Sequence, residues 1–425
     1  MALRDIFLSL WAGRSAGGLV PKVESQLRDL TLTTANVLTL DITGGETTTR
    51  AGVTVTVDRA MQLSAVSACV RLLAESIASL PLNVYRRLDG GRRQRVVDVP
   101  EFRLLHDQPN ELMTSFVWRE TSSAHLLLWG NAYSLIVRGD GGSPTALLPI
   151  LPQHVRVLKQ PDGELAYQIN GHGINRLINQ ADMLHVPGLS YDGLIGMSPI
   201  RYAAQSIGLG LAAEGYGAGF FGNSSIPSGF ITTKAVLKPD QARDLGRRWQ
   251  ENYGGNRSQG TAVLDNDAKF ERVTIPPEEA QFIETRKFQL ADIARWYRVP
   301  PHMIGDLERA TFANIEHQGL QFVTHTLRPW LVRFEQEITR KLFPPMSDGT
   351  PSELYVEFNV DGLLRGDIKS RYEAYAIGRQ WGWLSTNDIR SRENLEPVAD
   401  GDADFLQPLN MVPRGQEPAG TEPTP

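Results

Sequence analysis

Apolar positions recur at helical spacing through much of the chain, and the clearest run lies between Pro276 and Phe343. Ile283, Leu290, Ala294 and Tyr297, with Ile293 and Trp296 beside them, give a helix over 278–298 one apolar face. Pro276 and Pro277 open it, and Glu278 and Glu279 suit the positive end of its dipole. Pro300 and Pro301 stop it, because proline lacks the N–H and restricts the residue before it. A second helical pattern runs from Ala313 to Leu342, with Pro329 expected to kink or interrupt it. Between the two, Val299 to Phe312 is longer than a simple helix–helix connection requires. Its apolar Val299, Met303 and Ile304 fit either an ordinary loop packed on its own domain or a loop with a task.

The same reading predicts helices over 60–79, 115–129, 198–221, 238–253 and 367–381. A short one follows, capped by Thr386 or Asn387 and ending near Leu395. Strands are expected at 82–87, 131–138, 147–151, 154–159, 165–169 and 354–359, with turn residues at 139–142 and 161–164. Two further short strands, 261–264 and 269–275, flank an Asp265–Asn266–Asp267 turn. Residues 1–58 read as an arm with one or two short strands, and 400–425 as a Pro-, Gly- and acid-rich disordered tail. The fold class is α+β, a β-rich middle flanked by helices.

Composition adds little bias. The net charge of −5 carries no signature of tight nucleic-acid binding. The single cysteine, Cys69, excludes an intrachain disulfide and sits in an apolar helical pattern, as a small buried residue does. No stretch offers about 18 uncharged apolar residues, and the start lacks a signal-peptide pattern, so no membrane partner and a cytoplasmic setting are expected.

Catalytic motifs are weak. Gly208-x-Gly210-x-x-Ala213 fits a dinucleotide fingerprint, yet a helical pattern already precedes it, and close helix packing explains the small residues. Ser198 resembles a nucleophile elbow except that Ile200 replaces the second glycine; a helix cap is the other reading. His302 with Asp306, and His317 with His325, lack a third ligand, and the chain has no cysteine cluster. No phosphate-binding G-x-x-x-x-G-K-[ST] occurs, so no motor activity, no cofactor and no metal are expected.

Several segments, in order, closely resemble portal proteins of tailed bacteriophages. They are SAVSACVRLLAESIASLPLNVYRR at 64–87, GNAYSLIVR at 130–138, LLPILPQHVRV at 147–157, GMSPIRYAA at 196–204 and FFGNSSIPSGFI at 220–231. FQLADIARWYRVPPHMIGD, ATFANIEHQ, THTLRPWLVRFEQEITRKL and GWLSTNDIRSRENLEPV follow. The resemblance implies a non-enzymatic dodecameric ring with a central channel for double-stranded DNA, located in the virion and assembled in the host cytoplasm. Its implied partners are further copies of itself, the terminase large subunit that holds the motor, major capsid and scaffold proteins, and a head–tail adaptor. The low net charge suits such a channel, since each neutralised phosphate adds affinity and hence friction.

The same resemblance divides the chain into an α+β wing at 59–237, stem helices at 238–298 with a clip at 254–276, and a tunnel loop at 299–312. A wing helix and strand at 313–362 and crown helices at 363–399 complete it. It implies channel contacts from the tunnel-loop residues Val299, Pro300, Pro301, His302, Met303, Ile304, Gly305, Asp306, Glu308 and Arg309. Arg286, Lys287, Arg295 and Arg298 are stem candidates, and Asn256, Arg257, Asp265, Asn266 and Lys269 form the docking tip. A hydrolase or nucleotide-binding enzyme built on Ser198 or Gly208, and a capsid-vertex or tail protein without a channel, are the competing readings.

Overall fold

The structure, a computed structural model, describes residues 38–40, 46–139, 141–171, 174–223, 229–232, 238–253, 269–272, 278–306, 319–345, 348–360, 368–393 and 395–406. The strands are β1 (Leu38–Leu40), β2 (Thr47–Thr48), β3 (Thr54–Val55), β4 (Leu82–Arg87), β5 (Arg93–Val96), β6 (Asn131–Arg138) and β7 (Pro144–Ile150). β8 (Val155–Lys159), β9 (Leu165–Gly171), β10 (Ile174–Asn179), β11 (Met183–Pro187), β12 (Gly229–Thr232), β13 (Lys269–Arg272) and β14 (Leu354–Phe358) follow. The helices used below are α1 (Val57–Gln62), α2 (Ser64–Ser79), α3 (Ser115–Trp129), α4 (Pro199–Tyr202) and α5 (Ala204–Asn223). After them come α6 (Pro239–Tyr253), α7 (Glu278–Tyr297), α8 (Arg328–Leu342), α9 (Ile368–Gln380) and α10 (Thr386–Arg392).

Two cores organise these elements. In the smaller, the antiparallel sheets β11-β6-β7 and β1-β8-β9-β10 bury Tyr133, Leu148, Val157, Tyr167 and Met183. The larger joins α2, α3, the end of α7, α8 and the sheet β14-β4-β5 around Leu73, Trp118, Leu127, Ile293, Leu331 and Val356. Buried Arg119 ties helix ends together, donating to the carbonyls of Ala78 and Leu105. Burial pushes its guanidinium down to about 10. Cys69 is fully buried, and burial pushes its thiol up to about 12.

The expected α+β class holds, with local corrections. The helix expected at 60–79 is two, broken at extended Leu63, and the first begins at Val57 because Thr56 accepts from the Arg59 amide. Val55 is a core residue and Thr49 is buried, so 46–58 belong to the body and not to an arm. The helix expected at 198–221 turns at Ala203 and runs on to Asn223. Strands β5, β10, β11 and β12 were not expected. Ser385, not Thr386 or Asn387, caps α10, in a capping box with Asp388. Residues 400–406, read as tail, pack onto the last helices: Gly401 O accepts from the Asn387 amide at 3.0 Å, and Arg379 pairs with Asp404.

The segment between α5 and α7 contains a pairing that the sequence did not announce. Lys269–Arg272 pairs antiparallel with Gly229–Thr232, a strand that precedes α6. Residues 261–264 and the Asp265–Asn266–Asp267 turn lie outside the described residues. Among the described residues, α7 packs against α2 and α5. Trp296 Nε1 donates to Ser206 Oγ at 3.3 Å, and Gly210 lies against Gln289, so α5 and α7 run antiparallel. The chain therefore leaves along α5, makes an excursion closed by the β12–β13 pair, and returns along α7. The pairing is invisible locally because the two strands are far apart in sequence.

Candidate functional site

The end of α7 and the segment after it form the best-defined part of the candidate site. Ile293, Ala294, Tyr297 and Val299 are buried in the larger core, and the Tyr297 hydroxyl donates to Leu127 O at 3.4 Å. Arg298 takes the left-handed conformation at φ 56°, one of two non-glycine residues with positive φ among those described. The Val299 amide donates to Ala294 O at 2.9 Å and the Arg298 amide to Arg295 O at 3.1 Å. That crossed pair is a Schellman cap, built with arginine where glycine is usual. Thr326 Oγ1 then donates to the Arg298 carbonyl at 2.6 Å.

Thr326 belongs to a π-helical turn, Phe322–Leu327, that runs directly into α8. Pro329 sits in the first turn of α8, and the Arg328 amide reaches back to Val323 O. The interruption expected at Pro329 is thus a widening of the helix before a residue with no N–H to give. The turn buries Phe322, Val323, Thr326 and Leu327 and leaves His325 exposed.

The tunnel-loop candidates divide. Val299 is 3 % exposed and is a core residue, which corrects its expected role as a channel group. Pro301–Ile304 forms one 3-10 turn, closed by Gly305 at φ 98°, a conformation glycine adopts without strain. Ile304 packs partly on the core, whereas Met303 is 36 % exposed and Pro301 is exposed. Pro300, His302 and Asp306 are half-buried, and the Asp306 amide donates to Pro301 O at 3.1 Å. Glu308 and Arg309 lie outside the described residues, as does His317.

On α7, Lys287, Phe288 and Arg295 are exposed, as is Arg298 just after it, and Arg295 pairs with Asp292 at 2.9 Å. Arg286 is part of the helix, but its side chain is not among those described. Of the docking-tip candidates only Lys269 falls in a described element, β13; Asn256, Arg257, Asp265 and Asn266 lie outside.

The enzyme-like motifs have structural roles. Ser198 is fully buried, donates to Leu128 O at 2.8 Å and caps α4 by accepting from the Arg201 amide at 3.3 Å. A Cβ on Gly208 would lie 2.5 Å from Thr49, so that glycine permits the close approach of α5 to the β2–β3 turn. A helix, not a strand, precedes it, and the dinucleotide reading fails on that ground.

Residues 64–394 match the family model described as phage portal protein. The chain belongs to the phage portal protein family. It is 36 % identical over 381 residues to the probable portal protein of Streptomyces phage phiC31, covering 86 % of this chain and 82 % of that one. It is 32 % identical over 369 residues to the portal protein of Enterobacteria phage HK97, covering 85 % and 86 %. A solved chain from the neck of a native gene transfer agent particle with C12 symmetry has the same fold, with TM-score 0.61, 23 % identity, and coverage of 84 % of this chain and 97 % of that one.

Within this portal chain a second polar network went unread in the sequence. Asn131 Oδ1 accepts from the Gly196 amide at 2.7 Å and from His185 Nε2 at 3.0 Å. His185 Nδ1 then accepts from the Tyr167 hydroxyl at 3.2 Å. Burial pushes His185 down to about 3, with Lys341 and Arg340 adding to the effect, so the ring is neutral. The network clips the loop before α4 to both sheets of the smaller core. The residues are scattered in sequence, and no spacing could have announced it.

Proposed function

We propose that this chain is the portal of a tailed phage: a non-enzymatic dodecameric ring at one capsid vertex, through which double-stranded DNA enters and leaves. The observation that carries this reading is the relatedness to two phage portal proteins at above 30 % identity over most of each chain. The C12 neck of the gene transfer agent supports the ring number. No separate observation favours an enzyme, since Ser198 and Gly208 are spent on capping and packing.

In this reading α5 and α7 form the stem, and the excursion between them is the clip, redrawn to 224–277. The clip docks the terminase large subunit and then the head–tail adaptor, with Asn256, Arg257, Asp265, Asn266 and Lys269 as its contact candidates. Major capsid and scaffold proteins meet the outer parts of the ring during assembly in the host cytoplasm. Arg295 and Phe288 occupy the middle of the exposed face of α7, with Lys287 at one edge of it and Arg298 just past its end, and this face borders the channel. The segment from Pro300 to Phe312 is the tunnel loop, held at its base by buried Val299. Met303 is its clearest apolar contact for DNA, because an apolar group touches the duplex without a fixed phosphate contact.

Electron microscopy of the purified protein tests the reading. Rings with a central hole wide enough for a duplex are expected. Monomers alone under assembly conditions, or a closed bore, would overturn it.

A further inference from the structure

The helices α4, α5 and α7 carry a run of exposed apolar side chains. Tyr202, Leu209 and Tyr216 are seven residues apart, and backbone bonds continue through Ala203, from its amide to Pro199 O and from Ile207 to its own carbonyl. That spacing stacks the three on one face of α4–α5. All three are exposed, Leu209 at 50 % and Tyr216 at 68 %. Trp296, 49 % exposed, reaches this face from α7 through its bond to Ser206, which lies between Tyr202 and Leu209. Tyr191 extends the seam at the other end, with its ring 6.2 Å from that of Tyr202. Asp192 fixes the turn that presents Tyr191 by accepting from Ser190 Oγ and from the Leu194 and Ile195 amides.

The opposite edge of α7 has different chemistry. Lys287 and Trp296 are nine residues apart, which sets them about 180° apart around the helix. Arg298 follows just past the end of the helix, and both cations are exposed. A closed ring is built from heterologous contacts, in which one face of a subunit meets a different face of the next. An aromatic seam on one edge of the stem and a cationic edge on the other form such a pair, since cations are drawn to the faces of Trp and Tyr rings.

We propose that the seam of Tyr191, Tyr202, Leu209, Tyr216 and Trp296 is one half of the contact between neighbouring copies, and that the Lys287–Arg298 edge of the next copy is the other half. The proposal rests on the ring reading above and assigns the surface that closes the ring. DNA is the weaker occupant for the seam, because it holds no Lys or Arg to meet phosphates.

Labelling tests it, because the only native thiol, Cys69, is buried. In a Leu209→Cys variant, maleimide should react on the order of tenfold more slowly in rings than in subunits separated from them by gel filtration. Equal rates would overturn the assignment. Leu209→Glu should raise the protein concentration needed for rings by more than about tenfold while leaving the subunit's circular dichroism and melting unchanged, since the side chain is half exposed. Rings forming as readily as in the parent would also overturn it. Lys287→Glu should weaken rings in the same assay; if it does not, the cationic half is wrong. A parent chain that never forms rings would instead remove the ring reading itself, so the two failures are distinguishable.

Discussion

The hydroxyl of Thr326 donates a 2.6 Å hydrogen bond to the carbonyl of Arg298, joining the end of α7 to the π-helical turn that leads into α8. Thr326 is buried, so its replacement leaves that carbonyl without this donor. Thr326→Val keeps the shape and removes the hydroxyl. It is expected to destabilise the subunit by about 1–3 kcal/mol. Amide exchange in 299–306 should speed up, because the base of the loop loses its anchor. Denaturant unfolding and hydrogen exchange check both outcomes, and unchanged exchange would show that the Schellman cap alone holds the segment.

Arg298 itself stores strain that glycine would not. Its φ of 56° costs an L-residue about 1–2 kcal/mol, partly offset in glycine by the larger entropy of the unfolded chain. Arg298→Gly should therefore stabilise the isolated subunit by up to about 1 kcal/mol, and Arg298→Val should destabilise it. Thermal melting of subunits decides. A lower midpoint for the glycine variant would mean that the arginine side chain makes contacts worth more than the strain.

Met303 and Ile304 are adjacent and should respond differently to charge. Met303 is exposed, so Met303→Lys should leave folding and ring formation intact while impairing DNA packaging or retention. Ile304 packs partly on the core, so Ile304→Lys should destabilise the subunit by about 1–3 kcal/mol, the range for losing apolar packing while the ammonium reaches water. Melting curves together with packaging assays separate the two. Packaging that tolerates Met303→Lys would remove Met303 from the channel.

Acid should loosen the subunit through two histidines. Burial pushes His185 down to about 3 and His125 down to about 4, against an ordinary value of 6.5. Below 6.5 the unfolded chain binds protons that the folded chain does not, so stability falls as pH drops from 6.5 towards these values and is full above it. The slope contributed by each is about 1.4 kcal/mol per pH unit. Denaturant unfolding of the subunit at about pH 7.5 and about pH 5.5 should show the loss, and His185→Gln should shrink it. A flat profile would sink the assignment of a neutral, proton-excluding pair.

The sequence marked helix 278–298 well because prolines bound it and its apolar period is clear. β11 escaped because its residues are buried on both faces, leaving no alternation to detect. β10 escaped because Asn175, Arg176 and Asn179 dilute its apolar signal. Val299 was misassigned for a related reason: an apolar residue after a helix stop looks the same whether it anchors a loop or lines a channel. Only its burial against the larger core, a tertiary property, tells them apart. The packing of α5 on α7 was not legible, because about fifty residues separate the two helices and only the close approach at Gly210 and Gln289 reveals it.

The β12–β13 pair has an evolutionary consequence. It brings the exit and re-entry points of the excursion side by side, so what hangs beyond them adds no strain to α5 or α7 whatever its length. Recombination with breakpoints at these two strands transplants a foreign insert while the rest of the chain stays as it was. Phylogenies drawn from residues 233–268 and from the rest of the chain should then disagree.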